Sequence, residues 1–388
     1  MLKRSCTTTG LFLILATVGC ASSGGGMVSP GSARNPFKDT NFYINPGYVE
    51  NVEATAKRNP DMATQILKVA KYPSAGWLDS IAAIPKLKIW LDEAKKQQDE
   101  SGKPTLTVVV VYDLPNRDCS AAASAGELKV AQNGLFRYQK EFIDPITALF
   151  KSHPDQPIAV VLEPDSLGNL ATNMALPECQ EARPAYKEGV TYAIKSFALP
   201  NVSVYLDAAH SGWLGWNDNR AKIARVFKQV LSEAGGPRMI RGFATNTSNY
   251  TSLDNRDGAV LEPTNPCPNE LTYVKTLRKT LEMYGFKNHT FIIDTARNGK
   301  GGIRKAWGNW CNIRGAGLGE RPRANPGPDI DAYFWLKPPG ESDGTSDPSA
   351  PRFDPMCAGP DAAKDAPQAG QWFESYFLDL VRNANPPL

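Results

Sequence analysis

Carboxylates interleaved with aromatic residues form four compact segments: Tyr112-Asp113-Leu114-Pro115-Asn116-Arg117-Asp118-Cys119, Glu163-Pro164-Asp165-Ser166-Leu167, Leu206-Asp207 with His210-Ser211-Gly212-Trp213-Leu214-Gly215-Trp216, and Lys337-Pro338-Pro339-Gly340-Glu341-Ser342-Asp343-Gly344. Trp and Tyr rings offer flat apolar faces to the C–H faces of pyranose rings, while Asp, Glu, Asn, Arg and Lys take the hydroxyls. A groove with both kinds grips an oligosaccharide. Glycosidic cleavage needs two carboxyl groups, one protonated and one ionised, and close Asp side chains raise one another's pKa by like-charge repulsion. Taken singly, Trp213 and Trp216 fit a core; the Gly residues between them and the lack of a helical apolar stripe fit a loop platform at least as well.

Other chemistries find no support. The three histidines, His153, His210 and His289, show no His-Glu-x-x-His spacing, so neither a metal nor a cofactor is expected. Gly315-Ala316-Gly317-Leu318-Gly319 lacks the sixth-position Gly of a dinucleotide loop and follows Trp310-Cys311-Asn312 rather than an apolar strand. No Gly-x-Ser-x-Gly elbow is present. The 43 Lys+Arg against 40 Asp+Glu leave +3, Lys3 and Arg4 included, which argues against a nucleic-acid partner.

The elements that must position these groups are legible as short apolar runs: Trp77-Leu78, Leu106 to Tyr112, Ile158 to Leu162, Val202 to Leu206, Ile240 to Ala244, Phe291 to Ile293 and Tyr333 to Leu336. Several are unbroken, as strands buried on both faces should be. Helical spacing links Ile81, Ile84, Leu87, Trp90, Leu91 and Ala94, and recurs over 136–151, 181–197, 220–234 and 270–284. Alternating strand and helix predicts a parallel α/β sheet. Nearly every run ends in a polar residue: Asp79, Asp113, Glu163 with Asp165, Asp207, Asn246, Asp294 and Lys337. Any one of them fits a helix cap; seven in step fit the active face of an α/β barrel. No Pro/Ser/Thr-rich break divides 35–388, which reads as one catalytic domain.

Lys3 and Arg4 before Leu11 to Ala16, then Gly19-Cys20-Ala21-Ser22, give 1–20 the layout of an export signal, too short to span a membrane. Thr17-Val18-Gly19-Cys20 also resembles a bacterial lipoprotein signal, with Thr17 where Leu is usual. Plain secretion and a lipid anchor at Cys20 on the cell surface, the outer membrane included, both stay open. Residues 21–34 form a Gly/Ser-rich tether. With Cys6 and Cys20 set aside, Cys119, Cys179, Cys267, Cys311 and Cys357 remain, without Cys-x-x-Cys spacing. In an exported chain they read as two disulfides and one leftover thiol, in a pairing that spacing does not fix.

At these residues the chain resembles the family six glycoside hydrolases, the inverting cellulases. The likeness spans about 35–388. It is carried by Tyr112 to Cys119, Glu163 to Leu167, Tyr205-Leu206-Asp207 with His210 to Trp216, Ala244-Thr245-Asn246 with Asn249-Tyr250, Trp310-Cys311-Asn312 and Lys337 to Asp347. The resemblance implies a distorted barrel of about seven parallel strands with surrounding helices. It places Asp165 as the general acid, Asp118 as the neighbour that keeps it protonated, Asp343 as the carboxylate proposed as base, and Tyr112 as the ring that distorts the sugar. Ser124 would hold the catalytic water. Trp77, Asp79, His210, Trp213, Asn249, Trp310, Lys337 and Glu341 match sugar-contacting positions, Trp216 a further stacking platform, and Arg117 and Asp207 supports for the carboxylates. The family pattern also pairs Cys119 with Cys179 and Cys311 with Cys357, leaving Cys267 free. Departures from it are Asn116, Leu128, Ala209 and Ser342, none of which removes a catalytic group.

Thr345 to Gln368 is a long Pro-rich excursion resembling the cellobiohydrolase form, so the expected reaction is release of cellobiose from non-reducing ends of cellulose and cello-oligosaccharides by a monomer. An endoglucanase with an open groove is the alternative. A non-catalytic glucan-binding surface lipoprotein is a second one, against which Asp118, Asp165 and Asp343 stand, since binding alone does not need an acid beside an acid.

Overall fold

The computed structural model describes residues 1–2, 34–254 and 262–388. Most of the signal segment, Cys20 included, and most of the tether lie outside them. The described residues form nine strands, the central ones built from apolar runs: β1 (Asn41–Phe42), β2 (Gly76–Leu78), β3 (Thr105–Val111), β4 (Ile158–Leu162), β5 (Val202–Asp207), β6 (Gly242–Thr245), β7 (Thr290–Asp294), β8 (Arg323–Gly327) and β9 (Ile330–Phe334). The sheet order is β1-β3-β4-β5-β6-β7-β9-β8, with β2 pairing β3 beyond β1. Every pairing is parallel except β8 with β9. All seven expected strands are present, and the curled sheet with helices outside it is the expected distorted barrel.

Alternation along the strands separates two cores. Val108, Val110, Ala159, Val161, Tyr205, Ala244, Ile292 and Ala332 fill the barrel interior with Phe37 and Phe334. Their neighbours Val109, Val111, Val160, Leu162, Val204, Leu206, Phe243 and Ile293 face the helices. Both faces are therefore dry, which is why these strands read as continuous apolar runs. Helix Ile84–Ser101 buries Leu87, Trp90, Leu91 and Ala94, the stripe its spacing predicts. The other expected helices are Pro177–Ser196, Asn217–Ala234, Glu270–Met283 and the stretch from Gly134 to Ser152, which is continuous but widens between Tyr138 and Ile143.

The last strand ends earlier than its apolar run, at Phe334 rather than Leu336. Beyond it the carbonyl of Trp335 accepts the Ala75 N–H at 3.0 Å, and that of Leu336 accepts the Trp77 indole N–H at 2.8 Å. Those two residues leave the β7 ladder to reach across to β2, and so link the two ends of the curled sheet.

Candidate active site

A cleft of about 360 Å³ opens at the C-terminal ends of the strands. Its lining brings together Asp118, Asp165, Asp343 and Tyr112 with Trp77, Asp79, Ser124, His210, Trp213, Asn249, Trp310, Lys337, Glu341 and Arg117. Asp207 lies buried just beneath, and Trp216 stands outside the lining, against Trp307.

Asp165 follows β4 in a left-handed backbone conformation, φ 66°, that turns its carboxyl into the cleft. Its N–H donates to Asp207 Oδ1 at 3.1 Å, while its carboxyl has no hydrogen-bond partner among the described residues. Burial first, then the charges of Asp118 and Asp207, push this carboxyl well above the usual range. Asp118 is pushed up to about 6 by burial, against the opposing hydrogen bond from Asn169 Nδ2 at 3.2 Å. Asp207 likewise rises to about 6 through burial, although it accepts the N–H groups of Ala209 and Asp165. One unbonded carboxyl among acidic neighbours has the chemistry of a proton donor.

The floor is held by Arg117. Its Nη1 donates to the carbonyls of Asp79 and Tyr112 at 2.7 and 2.6 Å, its Nε to the carbonyl of Ser124 at 2.7 Å, and its guanidinium lies 4.4 Å from the centre of the Tyr112 ring. One side chain thus fixes Tyr112, Asp79 and the Ser124 loop relative to one another.

Asp343 is a different kind of carboxylate. Buried Arg297 places Nη1 2.8 Å from both its oxygens, and Oδ2 also accepts the Tyr250 hydroxyl and the Asn312 N–H at 2.8 Å each. Lys337 Nζ stands 4.0 Å from Oδ1. Three donors crowd Oδ2 and one direct hydrogen bond reaches Oδ1, so Oδ1 is the edge with room for water.

Aromatic platforms are rigidly mounted. Trp77 packs edge-on against Tyr112 with Lys337 Nζ 5.5 Å from its ring centre. Trp213 donates its indole N–H to Thr172 Oγ1 at 2.7 Å and lies over Gly168, where a Cβ would come within 3.1 Å of the ring. His210 is lowered to about 3 by burial and then by Arg304, which keeps the imidazole neutral at ordinary pH. Burial raises Glu341 to about 7.

Two loops that line the cleft meet each other. Arg352 donates to the Ala123 carbonyl, 3.1 Å from Nε, and Asp354 accepts the Ala122 N–H at 2.9 Å. Both disulfides expected from the resemblance are present, Cys119–Cys179 and Cys311–Cys357, and Cys267 is free and buried. The second disulfide abuts the segment after Asp343: a Cβ on Gly344 would lie 2.7 Å from Cys357 Sγ and 2.8 Å from the Ala123 Cβ.

Not every strand-end polar residue reaches the cleft. Asp294 spends its oxygens on the N–H groups of Ala296, Ser248, Leu336 and Lys337, and Asn246 ties Thr251 to Asp294. Turn formation accounts for these two. Sequence reasoning missed Arg297, Tyr250, Arg304, Trp307, Arg352 and Asp354. Arg297 carries no local signal, because its partner lies 46 residues away. Trp307 carries one, three residues before Trp310 in the same loop.

The family model described as glycosyl hydrolases family 6 matches residues 37–384. The chain is 44% identical to Exoglucanase 3 of Agaricus bisporus, over 92% of this chain and 80% of that protein. It is 44% identical to the 1,4-beta-D-glucan cellobiohydrolase CEL6C of Podospora anserina, over 95% and 92%. Among solved structures, the catalytic core domain of the cellobiohydrolase Cel6A from Chaetomium thermophilum superposes with a TM-score of 0.88 at 42% identity, over 92% of this chain and all of that one. The CcCel6A catalytic domain complexed with p-nitrophenyl beta-D-cellotrioside gives 0.89 at 45%, over 92% and 99%.

Proposed function

The chain belongs to the glycosyl hydrolases of family 6, and from that membership we propose that it cleaves β-1,4-glucosidic bonds of cellulose with inversion, releasing cellobiose from non-reducing ends. It is a glycoside hydrolase of cellobiohydrolase type. The observation that carries the chemistry is the Asp165 carboxyl, unbonded and pushed well above its ordinary value between Asp118 and Asp207.

In this reading Asp165 gives its proton to the glycosidic oxygen as the C1–O bond breaks. A water beside Ser124 attacks C1 from the opposite face, with the sugar turned out of its relaxed chair by Tyr112. The attacking water gives up one proton to Asp343 Oδ1 and keeps the other in the new C1 hydroxyl. A second route, through water to Asp118, is favoured by the Arg297, Tyr250 and Asn312 contacts that occupy Asp343, and by the value of about 6 that burial gives Asp118. Trp77, Trp213 and Trp310 stack on the glucosyl faces, and Asp79, Asn249, Lys337, Glu341 and His210 take hydroxyls. The loop contact from Arg352 to Ala123 supports chain-end entry over an open groove. The export layout of 1–20 fits an insoluble polymer met outside the cell.

Incubation with swollen amorphous cellulose tests this. Mostly soluble reducing ends, with cellobiose dominant, are expected. Abundant new ends on the solid with mixed oligomers would make it an endoglucanase, and no ends in either phase would sink the hydrolase reading.

A further inference from the structure

Four arginines are buried among the described residues: Arg117, Arg220, Arg297 and Arg304. Arg117 and Arg297 each meet a carboxylate, Asp113 at 3.7 Å and Asp343 at 2.8 Å. Arg220 meets none, and its donors close on the Gly215 carbonyl, Asn217 Oδ1 and Cys267 Sγ, outside the cleft lining. Arg304 also makes no ion pair among the described residues, yet it lines the cleft. Its Nη1 donates to Asn249 Oδ1 and to the carbonyls of Trp307 and Asn309, and its Nη2 to Thr251 Oγ1, all at 3.3 Å. Those are long contacts to neutral acceptors, so they do not replace the hydration that a buried guanidinium gives up. Burial accordingly lowers Arg304 to about 10. Two acids that act on it from a distance, Glu270 and Asp361, are turned to the N–H groups of Ser211 and Lys305, at 2.7 and 2.6 Å.

The walls of the cleft differ in charge. Tyr112, Trp77 and Lys337 stand together, with Glu341 and Asp79 in the field of that group, so the wall that holds the sugar at the cut is rich in acid. Arg304 belongs to a wall made of His210, Trp213, Asn249, Trp307 and Trp310, which contains no carboxylate. His210, whose neutrality Arg304 helps to maintain, supplies no second charge there. A cation without a counter-ion, set among aromatic and amide groups, suits an anion that arrives with the sugar chain.

We propose that Arg304 binds a carboxylate carried by the glucan, and that its ligand is a chain whose reducing-end C1 is oxidised to the acid, an aldonate. This rests on the glucan reading above. A chain that enters by its non-reducing tip has its reducing end among the departing units, so a carboxylate there leaves the ring at the cut unaltered. The bond chemistry is the same: Asp165 protonates the departing oxygen, water adds to C1 of the upstream sugar, and cellobiose and a shortened aldonate leave. The test compares chains of three, four and five glucosyl units that end either in the aldonate or in the uncharged alditol, at about pH 6, where the aldonate is ionised. Both ends are open-chain, so the comparison isolates the charge. For the parent, kcat/KM on the aldonate is expected to exceed that on the alditol by about fivefold at one length or more. Arg304→Gln is expected to bring that ratio near one, and Arg304→Lys to keep part of it. A parent ratio below about twofold at every length overturns the assignment alone, as does a ratio that Arg304→Gln leaves unmoved. Should Arg304→Gln fail to fold, the parent's ratio under rising sodium chloride decides: it is expected to shrink as chloride competes for the guanidinium, and a constant ratio overturns the assignment. A parent that cleaves plain cellopentaose but neither modified series overturns it too. A parent that cleaves none of them overturns the glucan reading and this assignment with it.

Discussion

The backbone N–H of Asp165 is held by the Asp207 carboxylate at 3.1 Å, so the residue that fixes the acid's peptide also sets a negative charge under its side chain. These two effects separate in Asp207→Asn. The amide oxygen can still accept the Asp165 and Ala209 N–H groups, while one of the contributions that raise Asp165, smaller than burial and the Asp118 charge, is gone. A raised acid is protonated, and active as a proton donor, below its pKa and is lost as pH climbs through it. Removing Asp207's contribution lowers that pKa, so the alkaline limb of kcat/KM against pH is expected to move to lower pH. An unmoved limb with an intact fold would show that Asp207 acts through geometry alone.

Replacing the acid itself has a leaving-group signature. Asp165→Asn is expected to cut turnover of amorphous cellulose by ~10²-fold or more, because the departing sugar hydroxyl is a poor leaving group without a proton. Cellobiosyl fluoride, which leaves with little assistance, should suffer far less. Calorimetry should find cello-oligosaccharide affinity within a few-fold of the parent. Equal losses on both substrates would argue that Asp165 binds rather than protonates.

Asp343 and Arg297 present the opposite case, a buried pair in which each charge answers the other. Asp343→Asn leaves the Arg297 guanidinium buried without its counter-charge, a change of about 3–5 kcal/mol in comparable pairs. Urea unfolding is expected to show a loss of that order, so part of any fall in activity belongs to the fold. Arg297→Met with Asp343→Asn should recover stability relative to Asp343→Asn alone without recovering turnover. Unchanged stability in the single variant would mean that the pair contributes little to folding.

The Cys311–Cys357 bridge closes 46 residues and braces the loop that Arg352 fastens to Ala123. Chain-entropy reasoning gives its removal about 4 kcal/mol. Cys311→Ser with Cys357→Ser should therefore lower the unfolding midpoint and raise the share of reducing ends left on amorphous cellulose. A product partition identical to the parent's would separate the disulfide from the roof.

Sequence legibility followed the physics of each element. Strands buried on both faces announce themselves as apolar runs, and β3 with Thr105–Val111 could hardly be read otherwise. β8, Arg323–Gly327, was illegible because an edge strand carrying Pro and Gly has no buried face to enforce a pattern. β1 is only two residues long. Helix Ser166–Thr172 went unread since almost every residue in it is buried, leaving no polar face to set a period. The carboxylates proposed as catalytic could be read because each sits in a compact local motif beyond a strand. Arg297 and Arg304 could not, since what defines them is a contact made across the fold.

In the proposed chain-end reading, the bridge from Arg352 to Ala123 also governs how the reaction scales with its substrate. A polymer that enters only by its tip is consumed one disaccharide at a time, and each cut exposes the next tip without creating an additional one. The number of attackable positions is then conserved through the whole digestion. Velocity follows the molar count of termini rather than the mass of glucan present. Of two preparations equal in weight, the one with half the mean chain length offers twice as many starting points.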